Sequence, residues 1–192
     1  LKENVILTTN YDYLLEKGLD VNWKRKPAKK GAKDTEYFYS LFRRQSANQK
    51  TIWHIHGEIA DRRSILLGYR HYINYCSAVR KQAQDFIYRT RQGLKTRDSW
   101  VNLFFTHNIR IIGFKMEITE YPLWWLIAYR DYVNNNYYDI IVDNTVSFVA
   151  PGFSINKAPE KHQLMEGYNL IIKPIKLKDG DYDGFYENIL NA

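Results

Sequence analysis

Two short polar segments, each directly behind an apolar run, hold the side chains best suited to chemistry in this chain. Val5-Ile6-Leu7 leads into Thr8-Thr9-Asn10-Tyr11-Asp12, and Thr51-Ile52-Trp53 leads into His54-Ile55-His56-Gly57. The Asn10 carboxamide can donate and accept hydrogen bonds, whereas the Asp12 carboxylate only accepts. Together they suit a ribose or a carboxamide. Histidine titrates near neutrality, so His56 is a candidate general base, and Gly57 beside it permits close backbone approach or an unusual dihedral. Singly these signals are weak, since Asn-x-Asp is more often a turn or cap. Strand alternation gives His54 the facing opposite to Ile55 and the same face as His56, so His54 is the alternate histidine.

Groups of this kind need elements to hold them. Apolar runs at 5–8, 51–55, 64–67, 110–114, 145–150 and 169–174 read as strands, the fourth closing on Gly113. Helical spacing runs over 72–92, with Ile73, Cys76, Val79, Ala83, Phe86 and Ile87 as its inner stripe. A helix or turn is expected at 13–17. Further helices are expected at 100–106 with Ser99 as N-cap, 121–132 before a break at Asn134-Asn135-Asn136, 159–166, and 182–190. Trp53, Trp100, Trp124 and Trp125 read as core or interface residues. Residues 24–34 form a basic loop containing Gly and Pro. Strands alternate with helices, and several strands are continuous apolar runs. This predicts an α/β fold with a mostly parallel sheet and helices on both faces. Ligands bind such sheets at the carboxyl ends of strands, which places Asn10, Asp12 and His56 at one cleft.

Composition narrows the classes. A chain of 192 residues with 45% hydrophobic and 26% charged residues fits one globular domain. The net charge of +7 allows attraction to phosphates, but the basic residues are scattered and match no nucleic-acid motif, so nucleic acid is not the expected partner. Cys76 is the only cysteine, which excludes an internal disulfide and a cysteine-based zinc site. No apolar stretch approaches the roughly 18 residues of a membrane span, and the expected setting is the reducing cytoplasm.

The two motifs in combination resemble the sirtuins. Thr8-Thr9-Asn10-Tyr11-Asp12 is similar to the sirtuin Thr-Gln-Asn-Ile-Asp, and His54-Ile55-His56-Gly57 to Glu-Leu-His-Gly, with His56 at the catalytic histidine. Ile111-Ile112-Gly113-Phe114-Lys115 resembles the strand end that holds phosphate and ribose in the same superfamily, with lysine in place of the usual serine. The resemblance runs from Val5 to about residue 190 and implies a Rossmann-like sheet. The four-cysteine zinc module of protein-deacylating sirtuins cannot be built here, which points to the zinc-free sirtuin-like domains of bacterial antiviral defence. The family's first strand and its Gly-Ala-Gly-x-Ser phosphate loop do not appear. The expectation is therefore a single sirtuin-like domain over 1–192 that is incomplete at its N-terminus.

The resemblance implies cleavage of the nicotinamide–ribose bond of NAD, which is a substrate here, without zinc or another metal. Asn10 and His56 are the implied catalytic residues. Thr8, Thr9, Asp12, Gly57, Gly113, Phe114 and Lys115 are the implied NAD contacts. NAD or ADP-ribose is the expected partner, alongside further copies of the chain or other domains of a longer protein, and no membrane. Two alternatives stay open: an inactive nucleotide-binding or assembly module, and an NAD-dependent protein deacylase.

Overall fold

The computed structural model describes residues 4–26, 41–140 and 142–191. The basic loop expected at 24–34 lies outside them beyond Lys26. The chain forms two compact units, Lys2–Asn102 and Leu103–Ala192.

The first unit contains β1 (Val5–Thr8), α1 (Leu14–Leu19), β2 (Gln45–Ala47), β3 (Lys50–His54) and α2 (Tyr69–Arg91), and ends in the first residues of α3 (Trp100–Thr106). Its sheet has the order β1-β3-β2. β1 pairs with β3 in parallel, from Val5 opposite Thr51 to Thr8 opposite His54. β2 pairs with β3 antiparallel. Ile52 and Trp53 on β3 are fully buried, as are Val79 and Ala83 on α2 and Trp100 at the start of α3. Ser99 caps α3 as expected, its Oγ accepting the Val101 N–H at 3.3 Å while donating to the Leu41 carbonyl at 2.8 Å.

Three expectations change in this unit. The strand expected at 64–67 is absent. Arg62–Ser64 is a 3₁₀ turn, and the backbone after it serves the histidine segment, with the Leu66 N–H donating to the His56 carbonyl at 2.9 Å. The second strand stops at His54, and the chain turns at once, with the Gly57 N–H on the His54 carbonyl at 3.1 Å. The stripe of α2 is also rotated. Tyr75, Val79, Ala83, Phe86 and Ile87 face the core, while Ile73 is exposed and Cys76 half-buried. The cause is Tyr75, whose hydroxyl donates to the buried Ile55 carbonyl and so turns the large ring inward.

The second unit contains β4 (Ile109–Ile112), α4 (Tyr121–Asn136), β5 (Val146–Pro151), α5 (Gly152–Asn156), α6 (Pro159–Gly167), β6 (Leu170–Ile175) and α7 (Tyr182–Asn191). The strands form a parallel sheet in the order β4-β5-β6. β5 is buried along its whole length, as a central strand covered on both faces must be. Successive strand residues point to opposite faces. Phe148 meets His162 of α6, and Val149 packs with Phe185 and Ile189 of α7, so helices cover both sides. Three of the four strand pairings among the described residues are parallel, which bears out the mostly parallel, Rossmann-like reading.

The expected break at Asn134-Asn135-Asn136 is not there. α4 continues to Asn136, whose side-chain amide donates back to the Tyr132 carbonyl at 2.8 Å, and the Tyr137 N–H closes the last turn on Val133 at 3.0 Å. Asparagine here satisfies a helix end instead of interrupting the helix. No helix among the described residues is long and apolar enough to cross a membrane.

Candidate active site in the N-terminal unit

Parallel pairing puts the carboxyl ends of β1 and β3 on the same edge of the sheet. Thr8 and His54 are directly opposed, and Asn10 and His56 each lie two residues past that pair. Hydrogen bonds then lace the two emerging segments together. The Ile55 N–H donates to the Thr8 carbonyl at 2.9 Å, and the Ile59 N–H donates to the Tyr11 carbonyl at 2.8 Å. The Tyr11 hydroxyl reaches across to the Leu66 carbonyl at 3.1 Å. Each bond satisfies a backbone group that sheet pairing has released.

Within this frame the expected residues take distinct roles. Asn10 is exposed, its backbone N–H resting on the Thr8 hydroxyl at 3.1 Å. Thr9 is half-buried. Asp12 accepts the Leu14 N–H on Oδ1 at 3.0 Å, so one of its oxygens orders the start of α1. His56 is buried, with its ring edge-on to Tyr72 at 5.8 Å between centroids. Gly57 adopts φ +103°, and a Cβ there would sit 2.2 Å from the Ser64 carbonyl oxygen, so no other residue fits.

Because the strand ends at His54, the two histidines have different surroundings. His54 is enclosed, with Nδ1–H donating to the Asn10 carbonyl at 2.7 Å and Nε2 bonded to Glu16 Oε1 at 2.6 Å. Burial disfavours the imidazolium, but the hydrogen bonds to Glu16 and Asn10 and the charges of Glu16 and Glu58 outweigh it and raise the His54 pKa above its ordinary 6.5. Tyr13 lies edge-on to the same ring at 5.4 Å.

Sequence reading missed a second buried group, Glu58, although it directly follows the His-Gly pair. Its Oε2 accepts from the Tyr13 hydroxyl at 2.8 Å, Gln45 Nε2 at 3.0 Å and Arg25 Nε at 3.2 Å, and its Oε1 from Arg43 Nε at 2.6 Å. Burial raises the pKa of this carboxyl, but Arg43, the Tyr13 hydroxyl and Arg25 together leave it lowered. Burial and the same carboxylate push Tyr13 up to about 12. Glu16 was missed as well. An acid inside a short helix reads as solvated, and only the approach of His54 from another strand gives it a partner.

The three residues expected at the end of the strand at 110–114, now β4, belong to the second unit. Gly113 adopts φ +64°, and a Cβ there would lie 2.6 Å from the Tyr186 hydroxyl. Phe114 is half-buried, and Lys115 is exposed, its carbonyl accepting from Lys161 Nζ at 2.8 Å. Among the described residues, no group of three or more His, Cys, Asp or Glu side chains is placed to hold a metal ion.

The family profile described as SIR2-like domain matches residues 4–138, which include both β1 and β3 and all the motif residues above. SIR2-like domains bind NAD, so an NAD-related function follows in general terms. No curated protein and no solved structure gives a significant match. With the profile covering more than half of its length, this chain belongs to the SIR2-like domain family.

Proposed function

We propose that this protein hydrolyses NAD, cleaving the bond between nicotinamide and ribose to release nicotinamide and ADP-ribose. The observation that carries the reading is the parallel pairing of β1 with β3, which sets Asn10 and His56 on two loops laced together at one sheet edge. Departure of nicotinamide leaves an oxocarbenium-like C1′, as in glycoside hydrolysis. Asn10, exposed and held from below, orients the ribose and the attacking water through its carboxamide. His56 accepts a proton from that water or from a ribose hydroxyl. Asp12, ordered by its bond to Leu14, meets the nicotinamide carboxamide. Nicotinamide leaves as a neutral ring, so its departure requires no protonation. The resemblance to zinc-free sirtuin-like domains supports a setting in antiviral defence.

The test is nicotinamide release from NAD by the full-length protein and by its Asn10→Ala and His56→Ala forms. Both substitutions are expected to abolish release while the protein still folds and melts cooperatively, Asn10→Ala near the parental temperature and His56→Ala, which empties a buried site, below it. Parental rates in the doubly substituted protein would refute the assignment. NAD binding without nicotinamide release in the parent would make the protein a nucleotide sensor instead. Release of deacylated peptide only when NAD is present would indicate the deacylase.

A further inference from the structure

We propose that His54, braced by Glu16, is a positioning residue that fixes the peptide carrying Asn10. The idea rests on the hydrolase reading for its catalytic consequence, but its geometry stands on the first unit alone. His54 is 1% exposed and Glu16 0%, so neither can touch a ligand from solvent. The imidazole spans the space between two elements. One nitrogen holds the Asn10 carbonyl at 2.7 Å and the other holds Glu16 of α1 at 2.6 Å. A backbone carbonyl can only accept, so Nδ1 carries a proton and donates it there.

The β1–α1 connection is thereby tied from beneath at the residue whose side chain faces outward. Asp12 secures the far end of the same connection through Leu14. The charged neighbours of the His54 ring are Glu16 from α1 and Glu58 from the segment after β3, with Tyr13 edge-on to it. A buried pair of ionisable groups is by itself weak support for stability and is often replaceable by apolar groups. The bond to the Asn10 carbonyl is what gives this pair a directional task.

Two substitutions of similar polarity separate this role from a filled polar slot. In His54→Asn the side-chain amide reaches the former Nδ1 position and can still donate to Asn10. In His54→Gln it reaches the former Nε2 position, keeping Glu16 company but leaving the Asn10 carbonyl unheld. Amide hydrogen exchange across 9–14, referenced to the β3 amides of the same sample, is measured beside nicotinamide release. The Gln form is expected to exchange about tenfold faster over that stretch, as loss of one buried hydrogen bond implies. Its kcat should fall about 10²-fold with KM within about twofold, the size of effect that misplacing a reacting group has. The Asn form should recover most of both. Equal exchange in the two forms, or faster exchange in the Asn form, overturns the proposal. If the parental protein releases no nicotinamide, the hydrolase reading fails, and the exchange comparison still decides the positioning role.

Discussion

Replacing Glu58 with alanine removes the acceptor for four donors at once. Arg43, Tyr13, Gln45 and Arg25 all bond to its two oxygens, and the carboxylate is only 1% exposed. Breaking a buried pair by deleting one partner costs about 3–5 kcal/mol, because the surviving charge is left without compensation. The two guanidinium side chains here keep some access to water, 12% for Arg43 and 24% for Arg25, and Arg43 retains Asp61 at 2.6 Å. That places Glu58→Ala near the lower end, about 3 kcal/mol, or a melting temperature lower by about 6–12 °C for a chain of this size. Glu58→Gln keeps the volume and one acceptor, and should fall between parent and Ala.

The pH dependence has a definite sign. The folded carboxyl has a lowered pKa, so its contribution is complete above the ordinary value of 4.5 and is lost as pH falls through the depressed folded value. Thermal melts of parent and Glu58→Ala should therefore differ fully at pH 7 and converge below pH 4.5. A difference under about 1 kcal/mol at pH 7, the scale of an exposed ion pair, would refute the claim that this network holds the first unit together.

Two further substitutions probe the glycines. Gly57→Ala forces a side chain into φ +103° and against the Ser64 carbonyl, so a loss of at least about 3 kcal/mol is expected in urea unfolding, with backbone strain supplying part and the displaced Ser64–Glu58 bond the rest. A stable Gly57→Ala protein would mean that the turn after His56 does not pack against the Ser64 carbonyl. Gly113→Ala meets only the tip of a flexible tyrosine at φ +64°, so the cost should be about 1 kcal/mol and should shrink when combined with Tyr186→Phe. Strict additivity of the two substitutions would show that Gly113 and Tyr186 do not crowd each other.

Much of the molecule was legible because periodicity reports burial directly. β5 reads as a continuous apolar run because helices cover both its faces, and α2 reads as a helix because one stripe meets the core. The misreadings share one cause, which is that individual hydrogen bonds, some within a turn and some between segments, override what composition suggests. Residues 64–67 look like a strand by composition, but Leu66 spends its N–H on His56. Ile55 looks like a continuing strand residue, but the turn into Gly57 ends the ladder at His54. Three consecutive asparagines look like a break, yet Asn136 ties itself back to the helix.

The sequence by itself determined the class of fold, the two motif segments and their placement behind strands, since residue type and local spacing are enough for these. Only the tertiary structure decided what each polar group does. The parallel register of β1 against β3 brought Asn10 and His56 to one edge and buried His54 between Asn10 and Glu16, while donors from separate segments, Tyr13, Arg25, Arg43 and Gln45, converged on Glu58. An ionisable side chain takes its role from the partners and the solvent around it. Those partners lie on strands and loops far apart in the chain, where no local pattern records them.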